Sequence, residues 1–348
     1  MPVTIERPAL AAAARISDLR ERRRRRGTIR DRGRRLAIGL VNNMPDSALA
    51  ATERQFRTVL EQASGDLDIQ LRLYALPQVP RAREALEHVA QLYADAAALR
   101  GQGADALIVT GAQPKAPDLK DEPYWRSLSA VIDWAAGNTL STILSCLAAH
   151  VGVRHFSGIQ RRALPRKCSG VFTFERVGAD RLTEGADAAW LTPHSRYNGL
   201  DERELTRNGY TVLTRSPSAG VDMFVKRMRS LVVFLQGHPE YESDTLAREY
   251  RRDLSRRLAG DSALLPDIPE GYFSPEAERA LREFSARALR ELKPDAMAFY
   301  PHIGLSGASD APWRRSANLL YRNWLGLVAE RKAEIVQGSS SLAARWGG

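Results

Sequence analysis

The chain has 348 residues, and its content of 44% apolar and 26% charged residues is typical of a globular protein with a buried core. No apolar run approaches the roughly eighteen residues of a membrane-spanning helix, and arginines occupy the stretch where a signal peptide would be apolar. We therefore expect a cytoplasmic protein. With Cys146 and Cys168 as its cysteines, the sequence supports neither a disulfide framework nor a cysteine metal site of recognisable spacing.

The net charge of +10 is concentrated near the N-terminus, where eleven arginines face three acidic residues between Arg15 and Arg35. This distribution predicts a basic, solvated and largely disordered arm over residues 1–35, with contact to nucleic acid or another anionic partner as the alternative. Residues 36–335 are predicted to form a single domain, and residues 336–348 a frayed tail.

Strand-like and helix-like patterns alternate through the first half of that domain. Apolar or alternating runs predict strands at residues 36–41, 68–75, 104–110 and 139–144. Helical patterns follow these strands, at residues 47–62, 81–99, 123–136 and 148–153. This alternation predicts an α/β fold with a doubly wound, mostly parallel sheet and helices on both faces.

The pattern changes after the helix at residues 148–153. Short strand-like runs are found at residues 169–176, 188–192, 210–215, 221–226 and 230–235. Helices are then predicted at residues 243–258, 275–292 and 313–331. We therefore expect an antiparallel extension that returns to the main sheet and is followed by C-terminal helices.

Cys146 lies between a predicted buried strand and a predicted helix. A nucleophile at such a turn is exposed at the carboxyl edge of an α/β sheet. The adjacent helix N-terminus has a dipole and free N–H groups, which favour a thiolate and can hold an oxyanion. The alternative is a cysteine that only packs in the core.

A histidine and a carboxylate follow the apolar run at residues 230–235, in the sequence Gln236-Gly237-His238-Pro239-Glu240. At the tip of a second buried strand, these two groups suit a general base and the acid that orients it. We therefore predict that His238 and Glu240 act together with Cys146.

With these residues placed, ordered blocks between Leu36 and Leu327 make the chain similar to the homoserine O-acyltransferases of the MetA type. The blocks include Asn43-Met44-Pro45, Thr52-Glu53-Arg54-Gln55-Phe56, Lys167-Cys168-Ser169-Gly170-Val171, Pro193-His194-Ser195-Arg196-Tyr197, Gly237-His238-Pro239-Glu240-Tyr241 and Asn323-Trp324-Leu325. The resemblance implies a class I glutamine-amidotransferase-like fold and an enzyme that makes O-acylhomoserine for methionine biosynthesis.

The resemblance also implies roles for single residues. Cys146 matches the nucleophile that accepts the acyl group, His238 the general base and Glu240 the acid that orients the base. Three further residues match positions that contact the amino-acid substrate, and these are Lys167, Ser195 and Arg252. An arginine fork suits a carboxylate such as that of homoserine. The family suggests a homodimer with no bound cofactor and with acyl-CoA as co-substrate.

The mechanism that follows is ping-pong acyl transfer without a metal. The acyl group passes from acyl-CoA to Cys146, and homoserine takes it up while His238 removes the proton of the γ-hydroxyl. Each tetrahedral intermediate needs oxyanion donors. The backbone N–H groups of Leu147 and of Gln113, in the loop at residues 111–115, are the predicted donors.

The acyl group and the acceptor stay open at this stage. Lys115 suits the distal carboxylate of a succinyl group and so favours succinyl-CoA, but its bulk also fits a smaller pocket that takes acetyl-CoA. Serine is an alternative acceptor, because one methylene is worth only about 1–3 kcal/mol in a pocket. Two departures from the family are Leu147 in place of tryptophan and the absence of a lysine near Ser47.

Two other classes of function remain as alternatives. Glutamine amidotransferases use the same cysteine, histidine and glutamate, but the Cys146 turn lacks flanking glycines and no synthase domain is attached. An RNA- or membrane-associated protein would use the arginine-rich arm and would bind in a strongly salt-dependent way. We favour a homoserine O-succinyltransferase that binds small-molecule substrates and has no membrane partner.

Overall fold

The computed structural model describes residues 3–6, 34–112, 114–187, 190–261, 264–291, 294–302 and 311–346. Most of the predicted arm and the predicted oxyanion donor Gln113 lie outside these described residues. The part of the predicted arm at Thr4–Glu6 forms a short strand. The division into an arm, a single domain and a tail stays a prediction.

The strands are, in chain order, β1 (Thr4–Glu6), β2 (Arg35–Val41), β3 (Asp68–Ala75), β4 (Tyr93–Asp95), β5 (Ala106–Thr110), β6 (Ser141–Ser145), β7 (Arg162–Arg176), β8 (Trp190–Gly199), β9 (Thr211–Val212), β10 (Thr214–Ser216), β11 (Gly220–Val221), β12 (Met223–Arg227) and β13 (Leu231–Leu235). The α-helices are α1 (Asp46–Ala63), α2 (Arg83–Leu92), α3 (Leu99–Gln102), α4 (Trp125–Asn138), α5 (Leu147–Ser157), α6 (Glu202–Arg207), α7 (Thr245–Leu258), α8 (Pro275–Glu291) and α9 (Arg314–Trp346). In the part of the chain that the structure describes, no helix is long and apolar enough to cross a membrane.

The main sheet has the strand order β1-β3-β2-β5-β6-β13-β12-β9, with β4 paired to β3. In this sheet β1, β3, β2, β5, β6 and β13 pair with their neighbours in parallel. Strand β12 pairs antiparallel with β13, and β9 pairs antiparallel with β12. Thr110 pairs with Ser145, which pairs on its other side with Leu235. The segments that follow these three strands therefore meet at one edge of the sheet, which confirms the predicted α/β fold class.

Helices cover both faces of the main sheet. On one face Ile143 and Val233 pack in a core that includes Phe56 of α1 and Trp324 of α9. On the other face the strands pack on α4 and α5. Every residue of β6 and of β13 is buried. Burial on both faces explains why these strands are uncharged apolar runs rather than alternating ones.

A second, antiparallel sheet with the order β11-β10-β7-β8 forms the predicted extension. Its strand β7 begins at Arg162, before the predicted start at residue 169, and has an irregular register between Ala163 and Cys168. The predicted strand at 210–215 is divided between β9 in the main sheet and β10 in the second sheet. The predicted strand at 221–226 is divided in the same way between β11 and β12.

Three helix predictions were wrong in their bounds, and one of them, at residues 148–153, ends at Ser157 instead. The predicted helix at 81–99 breaks at Tyr93, because this side chain is buried and its hydroxyl accepts a hydrogen bond from the Asn42 side chain and donates one to Glu53. The helix predicted to end at residue 331 continues, and Lys332 Nζ donates to Asp105 Oδ2 at 2.7 Å. The break at Tyr93 therefore coincides with contacts to distant elements.

Trp324 anchors α9 to the main sheet, and this contact gives a test of the fold. The side chain is fully buried, and its indole N–H donates to Ser141 Oγ at 2.9 Å. We expect Trp324→Ala to lower the free energy of unfolding by about 3–5 kcal/mol, because it leaves a cavity in the core. Urea titration followed by circular dichroism measures this change.

The matched control is Leu86→Ala on α2, where the leucine is 55% exposed. We expect this change to stay within about 0.5 kcal/mol of the original free energy of unfolding. Equal unfolding midpoints for Trp324→Ala and the original protein would contradict the role of α9 in the core.

Candidate active site

Cys146 occupies a sharp turn between β6 and α5. Cys146 has a φ of 50° and a ψ of −110°. Among the residues that the structure describes, it is the only non-glycine residue with a positive φ. The backbone N–H of Cys146 donates to the carbonyl of Leu235 at 2.7 Å, which fixes the turn to the neighbouring strand. A backbone held in this unfavourable region is common at nucleophile turns. Cys146 lies at the predicted strand-to-helix turn, and its role as the nucleophile stays a prediction.

The loop after β5 approaches the first turn of α5 very closely. A Cβ added to Gly111 would lie 2.2 Å from the Leu147 Cβ and 3.0 Å from the Ala148 backbone nitrogen. Only glycine therefore permits this packing. The contact brings the loop beside the N-terminal N–H groups of α5, which have no partners within the helix. This is the place where the sequence predicts the oxyanion donors, and the donor role of Leu147 stays a prediction.

His238 and Glu240 extend the site from the end of β13. The backbone N–H of His238 donates to Pro193 O at 2.8 Å, and its Nδ1 lies 2.8 Å from Glu240 Oε1. The imidazole stacks on the Tyr241 ring, with 4.2 Å between ring centroids. Cys146, His238 and Glu240 line one cavity of about 430 Å³, so the structure brings the predicted trio together.

The environment of His238 favours its charged form. Burial acts to lower the pKa of His238, but the charges of Cys146 and Glu240 and their hydrogen bonds to the ring act the other way. The result is a pKa of His238 well above 6.5. Because Glu240 bonds to Nδ1, Nε2 is the ring nitrogen left for the thiol. The arrangement can hold an imidazolium beside a thiolate.

A buried layer beneath His238 was not predicted. Asp222 accepts a hydrogen bond from the Gly237 N–H at 2.8 Å, and His194 Nε2 lies 3.4 Å from the same carboxylate. Burial raises the pKa of Asp222 to about 6 and lowers the pKa of His194 far below 6.5, so His194 is neutral. These contacts hold the segment that carries His238, and no local sequence signal marks them.

The three residues predicted to contact the amino-acid substrate line the same cavity. They are Lys167 on β7, Ser195 on β8 and Arg252 on α7. Lys167 Nζ lies 2.7 Å from Asp253 Oδ2, and the Arg252 guanidinium contacts Oδ1 at 2.8 and 3.0 Å. Burial acts to raise the pKa of Asp253, but the two cations lower it below its ordinary value. Asp253, which the sequence did not reveal, thus orients two of the predicted residues.

The predicted acyl-specificity residue Lys115 lies on a neighbouring cavity of about 490 Å³ rather than among the residues that line the Cys146 cavity. Its backbone N–H donates to the Glu122 carboxylate. Two residues that were not predicted, His150 and Arg161, do line the Cys146 cavity. Burial lowers the pKa of His150 to about 3, so this side chain is neutral and hydrogen-bonded to Gln236.

No group of three or more histidine, cysteine, aspartate or glutamate side chains that could hold a metal occurs in the ranges that the structure describes. In the Cys146 cavity, the Asp253 carboxylate contacts Lys167 and Arg252 instead. The chemistry that this arrangement can perform is nucleophilic attack by a thiolate, with a histidine to exchange protons.

The charge of Cys146 supports the raised pKa of His238, and this dependence is testable. We expect Cys146→Ala to lower the pKa of His238, because burial is then opposed by Glu240 alone. A pH titration of the ring nitrogens by NMR with labelled histidine measures the change. Cys168→Ala is the control, since Cys168 does not line the cavity. An unchanged pKa of His238 in Cys146→Ala would contradict the thiolate–imidazolium pair.

Comparisons with known proteins agree over most of the chain. The family model for homoserine O-succinyltransferase matches residues 10–334. A homoserine O-succinyltransferase of Methylorubrum extorquens is 47% identical over 300 residues, 86% of this chain and 89% of that protein. One from Rhodopseudomonas palustris is 48% identical over 290 residues, 83% of this chain and 87% of that protein. A solved glutamine amidotransferase of Thermotoga maritima covers 84% of this chain and 98% of its own, with 12% identity and a TM-score of 0.47. The chain belongs to the homoserine O-succinyltransferase family.

Proposed function

We propose that this protein transfers the succinyl group of succinyl-CoA to the γ-hydroxyl of homoserine, a step in methionine biosynthesis. The observation that carries the proposal is the single cavity lined by Cys146, His238 and Glu240 in a chain of this family. As further parts of the proposal, the enzyme is a cytoplasmic homodimer and works without a bound cofactor.

The first half-reaction loads the enzyme. The Cys146 thiolate attacks the thioester carbonyl of succinyl-CoA and forms a tetrahedral oxyanion. N–H groups at the start of α5, including that of Leu147, stabilise this oxyanion. When the intermediate collapses, the bond to the CoA sulfur breaks, and the imidazolium of His238 gives its proton to the departing thiolate. The products are CoA, a succinylated Cys146 and a neutral His238.

The second half-reaction unloads the enzyme. Neutral His238 accepts the proton of the homoserine γ-hydroxyl while the oxygen attacks the Cys146 thioester. The second tetrahedral intermediate releases O-succinylhomoserine and the thiolate, and the thiolate again faces an imidazolium. Glu240 keeps the ring oriented through its 2.8 Å contact with Nδ1 and balances the positive charge of the ring.

The homoserine site is proposed on the wall formed by β7, β8 and α7. The Arg252 guanidinium binds the carboxylate of homoserine, with Lys167 and Ser195 beside it. Asp253 holds both cations in place and is a candidate to face the homoserine ammonium group. This wall therefore suits a zwitterion, which carries one charge of each sign.

The names of the relatives favour succinyl-CoA over acetyl-CoA as the donor and homoserine over serine as the acceptor. They also favour acyl transfer over the glutaminase alternative. The role of Lys115 in the choice of acyl group stays a prediction, because this residue lies on the neighbouring cavity.

Intact mass spectrometry after incubation with each acyl-CoA tests the proposed function. We expect a succinyl adduct on the original protein and a much weaker acetyl adduct. Cys146→Ala should form no adduct and should lose product formation by about a thousandfold or more, because the nucleophile is gone. Cys168→Ala is the control and should keep the adduct. Full activity of Cys146→Ala would contradict the covalent step.

Arg252→Gln tests the homoserine site separately. We expect the KM for homoserine to rise about 10- to 100-fold, because a hydrogen bond to a charged group is worth roughly 1.5–3 kcal/mol. The rate at which succinyl-CoA loads Cys146 should not change. Steady-state kinetics and single-turnover mass spectrometry measure the two quantities.

The control is Arg251→Gln on the same helix, where the guanidinium lies 5.2 Å from the centre of the Tyr300 ring and does not line the cavity. An unchanged KM for homoserine in Arg252→Gln, or an equal loss in loading, would contradict the proposed contact.

A further inference from the structure

Arg161 is a half-buried cation in the Cys146 cavity, in the link between α5 and β7. Its guanidinium contacts the backbone carbonyls of Ala116 and Pro117, each at 3.4 Å. These are long hydrogen bonds to neutral groups. Among the residues that the structure describes, none forms an ion pair with Arg161 within 4 Å.

The nearest acidic groups are already engaged elsewhere. Glu122 accepts the backbone N–H groups of Lys115 and Ala116, and Asp118 pairs with Arg154 at 2.8 Å. Burial is the largest influence on Arg161 and lowers its pKa, although Glu122 and Asp118 act the other way. Even a half-buried charge is less stable without a counter-charge, so this position is suited to an anion that arrives with a ligand.

Arg161 and Cys146 line the same cavity. His150 follows Cys146 by one turn of α5, and its imidazole interacts electrostatically with Arg161. One helical turn rises about 5.4 Å, which is comparable with the length of a succinyl group. An acyl chain attached to Cys146 lies in the cavity whose wall includes Arg161.

The other cations of the cavity are less available. Lys167 and Arg252 are both bound to Asp253. The buried guanidinium of Arg196 donates to the carbonyls of Asn198 and Ala219. Arg256 also lines the cavity, but it is exposed and therefore hydrated. Among the described cations of the cavity wall, Arg161 is the one that is partly buried and has neither an acidic partner nor short hydrogen bonds.

We propose that Arg161 binds the terminal carboxylate of the succinyl group, both in bound succinyl-CoA and in the Cys146 thioester. The planar guanidinium offers two parallel N–H donors to a carboxylate, which an acetyl group does not have. Arg161 thereby selects the succinyl donor. This assignment rests on the proposed function, and it places the acyl-recognising cation in the catalytic cavity rather than at Lys115.

The test compares two donors of equal chain length on Arg161→Gln. Succinyl-CoA ends in a carboxylate, and butyryl-CoA ends in a methyl group at the same place. The rate of adduct formation on Cys146 is measured by rapid quench and intact mass spectrometry without homoserine, so the acceptor site has no influence. We expect succinyl loading to fall about 10- to 100-fold, as for loss of a charged hydrogen bond, and butyryl loading to stay unchanged.

Matched variants sharpen the comparison. Arg162→Gln changes the next residue, which pairs on the surface with Asp201 at 2.8 Å, and should leave both loading rates unchanged. Arg161→Lys keeps the charge but loses the fork, so we expect a smaller loss that is again confined to succinyl-CoA. This second variant carries the comparison if Arg161→Gln does not fold.

Three outcomes would overturn the assignment. Equal losses with both donors would place Arg161 on the CoA portion, and no loss with either donor would remove it from recognition. A selective loss in Lys115→Gln, but not in Arg161→Gln, would return the role to Lys115. By contrast, an original protein that forms no succinyl adduct would overturn the proposed function itself.

Discussion

The site depends on the register of three parallel strands. Thr110, Ser145 and Leu235 are aligned across β5, β6 and β13, and the hydrogen bond from the Cys146 N–H to Leu235 O continues that alignment by one residue. A shift of one residue in either pairing would turn buried side chains to the opposite face. Packing of the core therefore holds the strands in this register. The register in turn determines where the thiol, the loop after β5 and His238 meet.

Burial and charge have opposing effects on the groups that this register brings together. For His238, charge interactions with Cys146 and Glu240 outweigh burial, whereas for His194 and His150 burial prevails and both stay neutral. Three buried histidines close to one another thus differ in charge. Only the one that faces both a thiol and a carboxylate is prepared to exchange protons.

Much of this arrangement could be predicted from the sequence. Cys146, His238 and Glu240 follow buried strands, and strands that are covered on both faces leave a clear apolar signal. The proposed roles of Asp253 and Arg161 could not be predicted in this way, because they depend on which cations have a carboxylate beside them. That information lies in contacts between segments far apart in the chain, such as the contact of Lys167 with Asp253. The break in the helix at Tyr93 has the same origin.

The distribution of charge in the cavity is consistent with two successive substrates of different charge. On one wall Asp253 sits between Lys167 and Arg252, so cations and an anion are offered together, as an amino acid with both charges requires. In the link between α5 and β7, Arg161 has no such counter-charge among the described residues, which suits the single carboxylate of a succinyl group. In the proposed ping-pong order the acceptor attacks only after the acyl group is in place, so the two anionic groups would occupy the cavity together. Separate cations for each carboxylate keep the like charges of the two substrates from competing for one site.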